Sequence, residues 1–209
     1  CHRPDINTPV EETVRTMNSL IEQGKILYWG TSEWPADLIT QAHAISGQFG
    51  LIGPTMEQPQ YNMLNREKME KEFLRLFRDY RMGTTVWSPL ASGILTGKYM
   101  NGIPDGSRFS NPALSWLKDI YFQNGMEELN VNLKKLTALG MEIGMTLAQL
   151  AIAWCLKNEN VSSVILGATK KEQLTETMKA QELQTKITPE IMVQIDQILS
   201  NAPTPERVF

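Results

Sequence analysis

A chain of 209 residues is long enough to bury one sizeable core and too short for two comfortable ones. A hydrophobic share of 42% and a charged share of 21% are ordinary for a soluble globular protein. The net charge of −3 offers no electrostatic footprint for nucleic acid or an anionic membrane, so any anionic ligand must be held by local groups. No apolar run approaches the roughly 20 residues that span a bilayer, and Cys1-His2-Arg3-Pro4-Asp5 lacks the apolar stretch of a signal peptide. Cys1 and Cys155 are far apart, have no metal-ligand spacing, and suit a reducing, cytoplasmic compartment. Opening on Cys1 rather than Met suggests a chain whose front is missing.

In chain order, short apolar runs alternate with stretches of helical period. After Asn7-Thr8-Pro9, residues 11–23 place Val14, Met17, Leu20 and Ile21 on one helical face, and Gly24 stops it. Residues 25–29 read as a strand, followed by Gly30-Thr31-Ser32. Pro35 opens a helix to about Phe49, with Leu38, Ile39, Ala42 and Ile45 on one side. A short strand ends near Glu57-Gln58, and a charged amphipathic helix over residues 66–80 buries Phe73, Leu76 and Phe77. Residues 83–87 are the next strand, broken by Ser88-Pro89. A long loop follows, carrying Gly93, Gly97, Gly102, Pro104 and Gly106. Residues 127–139 and 146–158 are helical. Residues 161–166 form the clearest strand, ended by Gly167, and helices over 171–181 and 188–199 lead to a tail with Pro203 and Pro205.

Strands alternating with helices predict a parallel sheet with helices outside it, in one domain over residues 1–209. An open doubly wound sheet remains possible, but the first βα turn has no Gly-x-Gly-x-x-Gly. What the strands share is polar or aromatic endings: His2, Thr31-Ser32, Glu57-Gln58, Trp87-Ser88 and Ala168-Thr169. Such endings are how a (β/α)₈ barrel builds its site. Four complete strands and a possible fifth end at Cys1-His2 cannot close one, so a partial barrel is expected.

The segments CHRPD (residues 1–5), YWGTSEW (28–34), MEQPQYNM (56–63), TTVWSPLASGILTGKY (84–99), TLAQLAIAWCLKN (146–158) and VSSVILGATKKEQLTE (161–176) together resemble an aldo-keto reductase. The nearest branch is that of voltage-gated potassium-channel β-subunits. The resemblance runs to about residue 182 in unbroken order and implies a (β/α)₈ TIM barrel of which only about the last five βα units are present. It also implies that the first strands, with a catalytic Asp, Tyr and Lys, precede Cys1.

By this resemblance His2 is the remaining catalytic residue. A His beside a Tyr hydroxyl orients a substrate carbonyl and helps a proton reach the developing alkoxide. Several animal relatives carry Asn at this point, so His2 leans the chain toward catalysis. The cofactor implied is NADP(H). Ser32 and Gln58 correspond to the side chains that meet the nicotinamide carboxamide, a group with donor and acceptor edges. Trp87 is similar to the aromatic that stacks on the nicotinamide ring. Ser88, Pro89, Leu90, Ala91, Ser92 and Gly93 match the loop that approaches the pyrophosphate, where small residues let backbone N–H groups come close. Lys98 and Arg108 resemble that loop's basic contacts. Gly167 and Thr169 begin the adenosine half, Thr169 as a helix cap and a hydroxyl for a 2′-phosphate. Gln173, Glu176 and Thr177 share the helical face that meets adenine and its ribose. Without the resemblance Trp87 reads as a core tryptophan at a strand end, and the others as ordinary rim, loop or helix-surface residues. Glu33 stands where animal channel subunits often have Arg, and no cofactor contact is expected of it.

The resemblance implies an NADPH-dependent reductase of aldehydes or ketones, working by direct hydride transfer without a metal. The alternative is a cytoplasmic auxiliary β-subunit, a homotetramer on a potassium-channel α-subunit with bound NADP(H) as a redox-sensing ligand. Neither reading involves nucleic acid or direct membrane insertion. The segment over residues 101–126 is expected to help shape the substrate pocket.

Overall fold

The computed structural model describes residues 1–122 and 125–204. Helix α1 (Val10–Glu22) is followed by strand β1 (Gly30–Ser32), helix α2 (Ala36–Phe49) and strand β2 (Met56–Gln58). A π-helical turn (Lys68–Glu72) leads into α3 (Leu74–Tyr80) and then strand β3 (Gly83–Val86). Short 3₁₀ turns and α4 (Trp116–Tyr121) occupy the long loop. Helices α5 (Met126–Glu142) and α6 (Leu147–Leu156), strand β4 (Val161–Val164), and helices α7 (Lys171–Met178), α8 (Ala180–Leu183) and α9 (Pro189–Leu199) complete the order.

Among the described residues the four strands form one parallel sheet whose spatial order is β1-β2-β3-β4. Chain order and spatial order therefore coincide, and every crossover steps the same way. A doubly wound sheet reverses direction at its switch point; this one does not, which leaves an arc of a barrel. A further parallel rung lies beyond β1, where Ser32 N–H donates to Cys1 O and Arg3 N–H donates to Ser32 O, both at 2.8 Å. The fifth strand end expected at Cys1-His2 is this rung.

Paired residues of neighbouring strands point the same way. Thr31, Glu57 and Thr84 are in register and buried, and Val86 continues their face. Ser32, Gln58 and Thr85 point to the opposite side. Helix α6 is the centre of the core. It is apolar all round, is started by a capping box between Thr146 and Gln149, and buries Leu150, Ala151, Trp154 and Cys155 completely or almost so. Cys155 is a free thiol there, and burial pushes its titration far upward, which leaves it inert.

Three local expectations change. The first strand is not residues 25–29: Leu27 and Tyr28 stand 79% and 72% exposed, and pairing begins only where the chain meets β2. Gly30 permits that approach, since a Cβ there would sit 2.6 Å from the Met56 carbonyl oxygen. The helix expected over residues 66–80 contains the π turn, closed by Phe73 N–H donating to Lys68 O at 2.8 Å. One added residue does not break an apolar stripe, so periodicity does not register it. In α1 the buried face includes Asn18, whose amide donates to Val14 O and Ile52 O and accepts from Ile52 N–H, stapling the helix to the segment before β2. Pro205 lies outside the described residues, as do Gln123 and Asn124 of the long loop.

Candidate active site

Parallel strands in sequential order bring their C-terminal ends to one rim. Ser32 ends β1, and its Oγ donates to Gln58 O at 2.9 Å at the end of β2. Gln58 Nε2 reaches Thr85 Oγ1 on β3 at 3.4 Å. His2 is exposed and pairs with Ser32 in the outer rung. Trp87 follows β3 and is held to the segment after β2, its N–H donating to Pro59 O at 3.1 Å and its carbonyl accepting from Tyr61 N–H at 3.3 Å. His2, Ser32, Gln58 and Trp87 thus lie on successive strand ends.

The chain after Trp87 turns through left-handed backbone at Ser88, Ala91, Ser92 and Gly93, with φ of 56°, 47°, 58° and 95°. The expected approach of these N–H groups to a pyrophosphate does not follow from the loop, because they are used within it: Ala91 N–H donates to Ser88 O at 2.9 Å, Ser92 N–H to Ser88 Oγ at 3.3 Å and Gly93 N–H to Leu90 O at 2.8 Å. Pro89 is buried and Leu90 half-buried, which seats this loop on the core. Lys98 folds back over it: a Cβ on Gly93 would sit 3.0 Å from the ammonium nitrogen, which lies 4.8 Å from the Tyr99 ring centroid. This stations a cationic group over the turn. Arg108 is exposed on a 3₁₀ turn whose next residue, Phe109, is fully buried among Tyr99, Tyr121 and Phe122.

At the start of α7 the cap is not Thr169. The Gln173 carboxamide oxygen accepts from Thr169 N–H at 3.0 Å, Thr169 Oγ1 at 3.2 Å and Lys170 N–H at 3.3 Å. A side chain reaching back from the first turn has displaced the shorter threonine hydroxyl. Thr177 Oγ1 donates to Gln173 O at 2.9 Å, so these two share a helix face. Glu176 is exposed, and its carbonyl accepts from Gln149 Nε2 at 3.0 Å. Gly167 and Thr169 are exposed as well. Among the described residues the side chains of Thr169, Gln173, Glu176 and Thr177 form no hydrogen bond to the 88–98 loop.

Two rim residues were missed by sequence reasoning. Asn62 is fully buried, donates from Nδ2 to Ser88 O at 2.9 Å and accepts from Leu64 N–H at 2.9 Å, pinning the start of the 88–93 turn. Its position within the MEQPQYNM segment was the available signal. Glu33, which stands where animal relatives often have Arg, carries no sequence signal of a role at the rim. Its carboxylate accepts from Gln60 N–H, Trp87 Nε1–H and the Lys68 ammonium. Burial alone would raise its carboxyl, but Lys68 and the two N–H donors outweigh it and hold the group below the usual carboxylate range. Glu57, on the opposite face, is shifted the other way: burial dominates and raises it, despite hydrogen bonds from Thr31 Oγ1 and Trp34 N–H.

A parallel α/β sheet stepping one way, with a polar and aromatic rim at its C-terminal ends, is the site-bearing arrangement of a βα barrel. The chain belongs to the aldo/keto reductase family, whose family model matches residues 1–200. Curated relatives include a probable voltage-gated potassium channel subunit beta of Oryza sativa, 49% identical over 204 residues, covering 97% of this chain and 61% of the relative. A second, from Arabidopsis thaliana and described in the same words, is 48% identical over 204 residues, with 97% and 61% covered. A putative voltage-gated potassium channel subunit beta of Schizosaccharomyces pombe is 49% identical over 202 residues, with 97% and 58% covered. The chain therefore spans about three-fifths of the length of these relatives and corresponds to their C-terminal part.

Proposed function

We propose that these residues are the cofactor half of an NADPH-dependent carbonyl reductase. The observation that carries this reading is the succession of Ser32, Gln58 and Trp87 on neighbouring strand ends, continuous with the left-handed turn at Ser88–Gly93 under Lys98. Bound NADPH would supply the hydride. Ser32 and Gln58 would satisfy the carboxamide, fixing the rotation of the nicotinamide. Trp87 would cover one ring face and exclude water from it, leaving the other face to the substrate. Lys98 would neutralise pyrophosphate, and Arg108, Lys170 and Thr169 would meet a 2′-phosphate. His2, exposed at the rim, would orient the carbonyl oxygen and pass a proton to it as negative charge develops. The substrate is a small aldehyde or ketone, and the protein works in the cytoplasm. Nucleotide titration of the intact protein tests this: NADPH is expected to bind at least about tenfold more tightly than NADH, from one charge-assisted phosphate contact or more. Equal affinities would remove the assignment of the 2′-phosphate groups.

The relatives' descriptions as potassium channel beta subunits favour a second reading, an auxiliary β-subunit of a potassium channel; in it the protein would be a tetramer on the channel α-subunit with NADP(H) as a sensing ligand. Co-expression with a channel α-subunit, followed by purification on the channel, separates the two. Retention as a stoichiometric partner supports the subunit role, whereas fast multiple turnover without any channel association supports the enzyme.

A further inference from the structure

We propose that Glu33 is the positioning residue that sets the plane of the Trp87 indole, and with it which face of the nicotinamide is open to the substrate. This rests on reading Trp87 as the aromatic beneath that ring.

The carboxylate joins three segments at the rim. Its Oε1 accepts from Gln60 N–H at 2.6 Å and from Trp87 Nε1–H at 3.0 Å, so a single oxygen ties the indole edge to the main chain beyond β2. That main chain is itself paired with the backbone of Trp87. The ring is therefore fixed at both ends, at its Cα by the rung and at its nitrogen by Glu33, which removes rotation about both side-chain bonds. Oε2 is occupied by Lys68 Nζ at 2.9 Å, reaching in from the π turn. Glu33 and Lys68 keep only 18% and 24% of their side-chain surface exposed, so the anchor is shielded from solvent.

The backbone argues the same way. Glu33 sits at φ of 60°, a left-handed conformation that a β-carbon disfavours and that glycine would adopt freely. Strain of this kind persists where surrounding contacts over-determine it, and it concentrates at functional sites. Here the turn immediately after Ser32 throws the carboxylate across the rim to Trp87. A surface ion pair with Lys68 alone would need neither the strained turn nor the two N–H donors.

The test uses the intact protein, para-nitrobenzaldehyde as carbonyl, and NADPH deuterated on one or the other face of the nicotinamide. Wild type is expected to transfer label from one face only. Glu33→Ala is expected to lower single-turnover hydride transfer on the order of tenfold or more and to release label from the opposite face. NADPH affinity should change less than the rate. Glu33→Gln keeps an oxygen for Gln60 and Trp87 while losing the Lys68 ion pair, and should largely restore facial fidelity. In a Trp87→Phe background, which has no indole N–H to hold, Glu33→Ala should add little, the coupling expected of a residue acting through its neighbour. If the alanine variant folds poorly, Glu33→Gly replaces it, since glycine suits the left-handed backbone. Full facial fidelity in Glu33→Ala and Glu33→Gly, with fidelity lost in Trp87→Ala, would overturn the proposal while sparing the reading of Trp87. Equal rate losses in both backgrounds without leakage would reduce Glu33 to a structural anchor. Unchanged rate and fidelity in Trp87→Ala would instead remove the nicotinamide assignment itself.

Discussion

Replacing Arg66 with Met should detach the last helix from the barrel. Arg66 is 6% exposed, and its guanidinium grips Glu70 with Nε at 2.9 Å and Nη2 at 2.7 Å, a two-pronged fork. Nη1 reaches Asp196 of α9 at 2.7 Å and Asn201 at 3.3 Å, and the group lies 5.2 Å from the Trp154 ring centroid. Removing one partner of a fully buried pair costs about 3–5 kcal/mol. Glu70 and Asp196 keep 20% and 40% of their side-chain surface, so hydration recovers part of this and about 2–3 kcal/mol remains. Met preserves the apolar stem over Trp154, which confines the loss to the polar contacts. At roughly 2–4 °C per kcal/mol for a domain of this size, the melting point should fall by about 4–12 °C. Arg66→Lys, which keeps charge but not the fork, should fall in between. Urea unfolding of the intact protein gives the free energy, and hydrogen exchange locates it. Amides of α9 should lose protection before those of α6. A loss below about 1 kcal/mol, typical of exposed pairs, or unaltered protection in α9, would refute the reasoning.

His2→Ala should slow carbonyl reduction on the order of 10²-fold while leaving NADPH titration close to wild type; unchanged turnover at saturating substrate would return His2 to an exposed rim residue. Asn62→Ala strands the part-buried Leu64 N–H and frees the Ser88 carbonyl, so it should destabilise by about 1–2 kcal/mol. It should also weaken NADPH binding by loosening the 88–93 turn, and a stability loss with wild-type nucleotide affinity would separate Asn62 from the cofactor site. Glu57 has a folded-state titration raised above its ordinary value of 4.5. The stability it contributes is therefore fully present below the unfolded value and lost as pH rises through the folded one. Glu57→Gln should accordingly be more stable than wild type near about pH 7.5, with the advantage shrinking toward about pH 4. Urea midpoints across that range check this, and an advantage that grows on acidification would contradict the sign.

Legible in the sequence were the features whose cause is local. Apolar residues at helical spacing located α1, α2, α5, α6 and α9 within a few residues, because burial of one stripe is recorded in the stripe itself. The strand ends carrying Ser32, Gln58 and Trp87 were legible because a polar or aromatic residue closing a short run is a contiguous signal. The family motifs added their order. Three things depended on the third dimension. The start of β1 at Gly30 was set by the Met56 backbone, which lies 26 residues further on and demands the absence of a β-carbon. The π turn came from an added residue that leaves the apolar stripe intact. The anchoring of Trp87 by Glu33 and of Ser88 by Asn62 joins groups 54 and 26 residues apart. A hydrogen bond of that separation leaves no periodicity behind, since each partner alone is only a polar residue in a loop. Strand order decided the rest: a barrel arc and a doubly wound sheet share the same alternation of elements, and only the direction of each crossover distinguishes them.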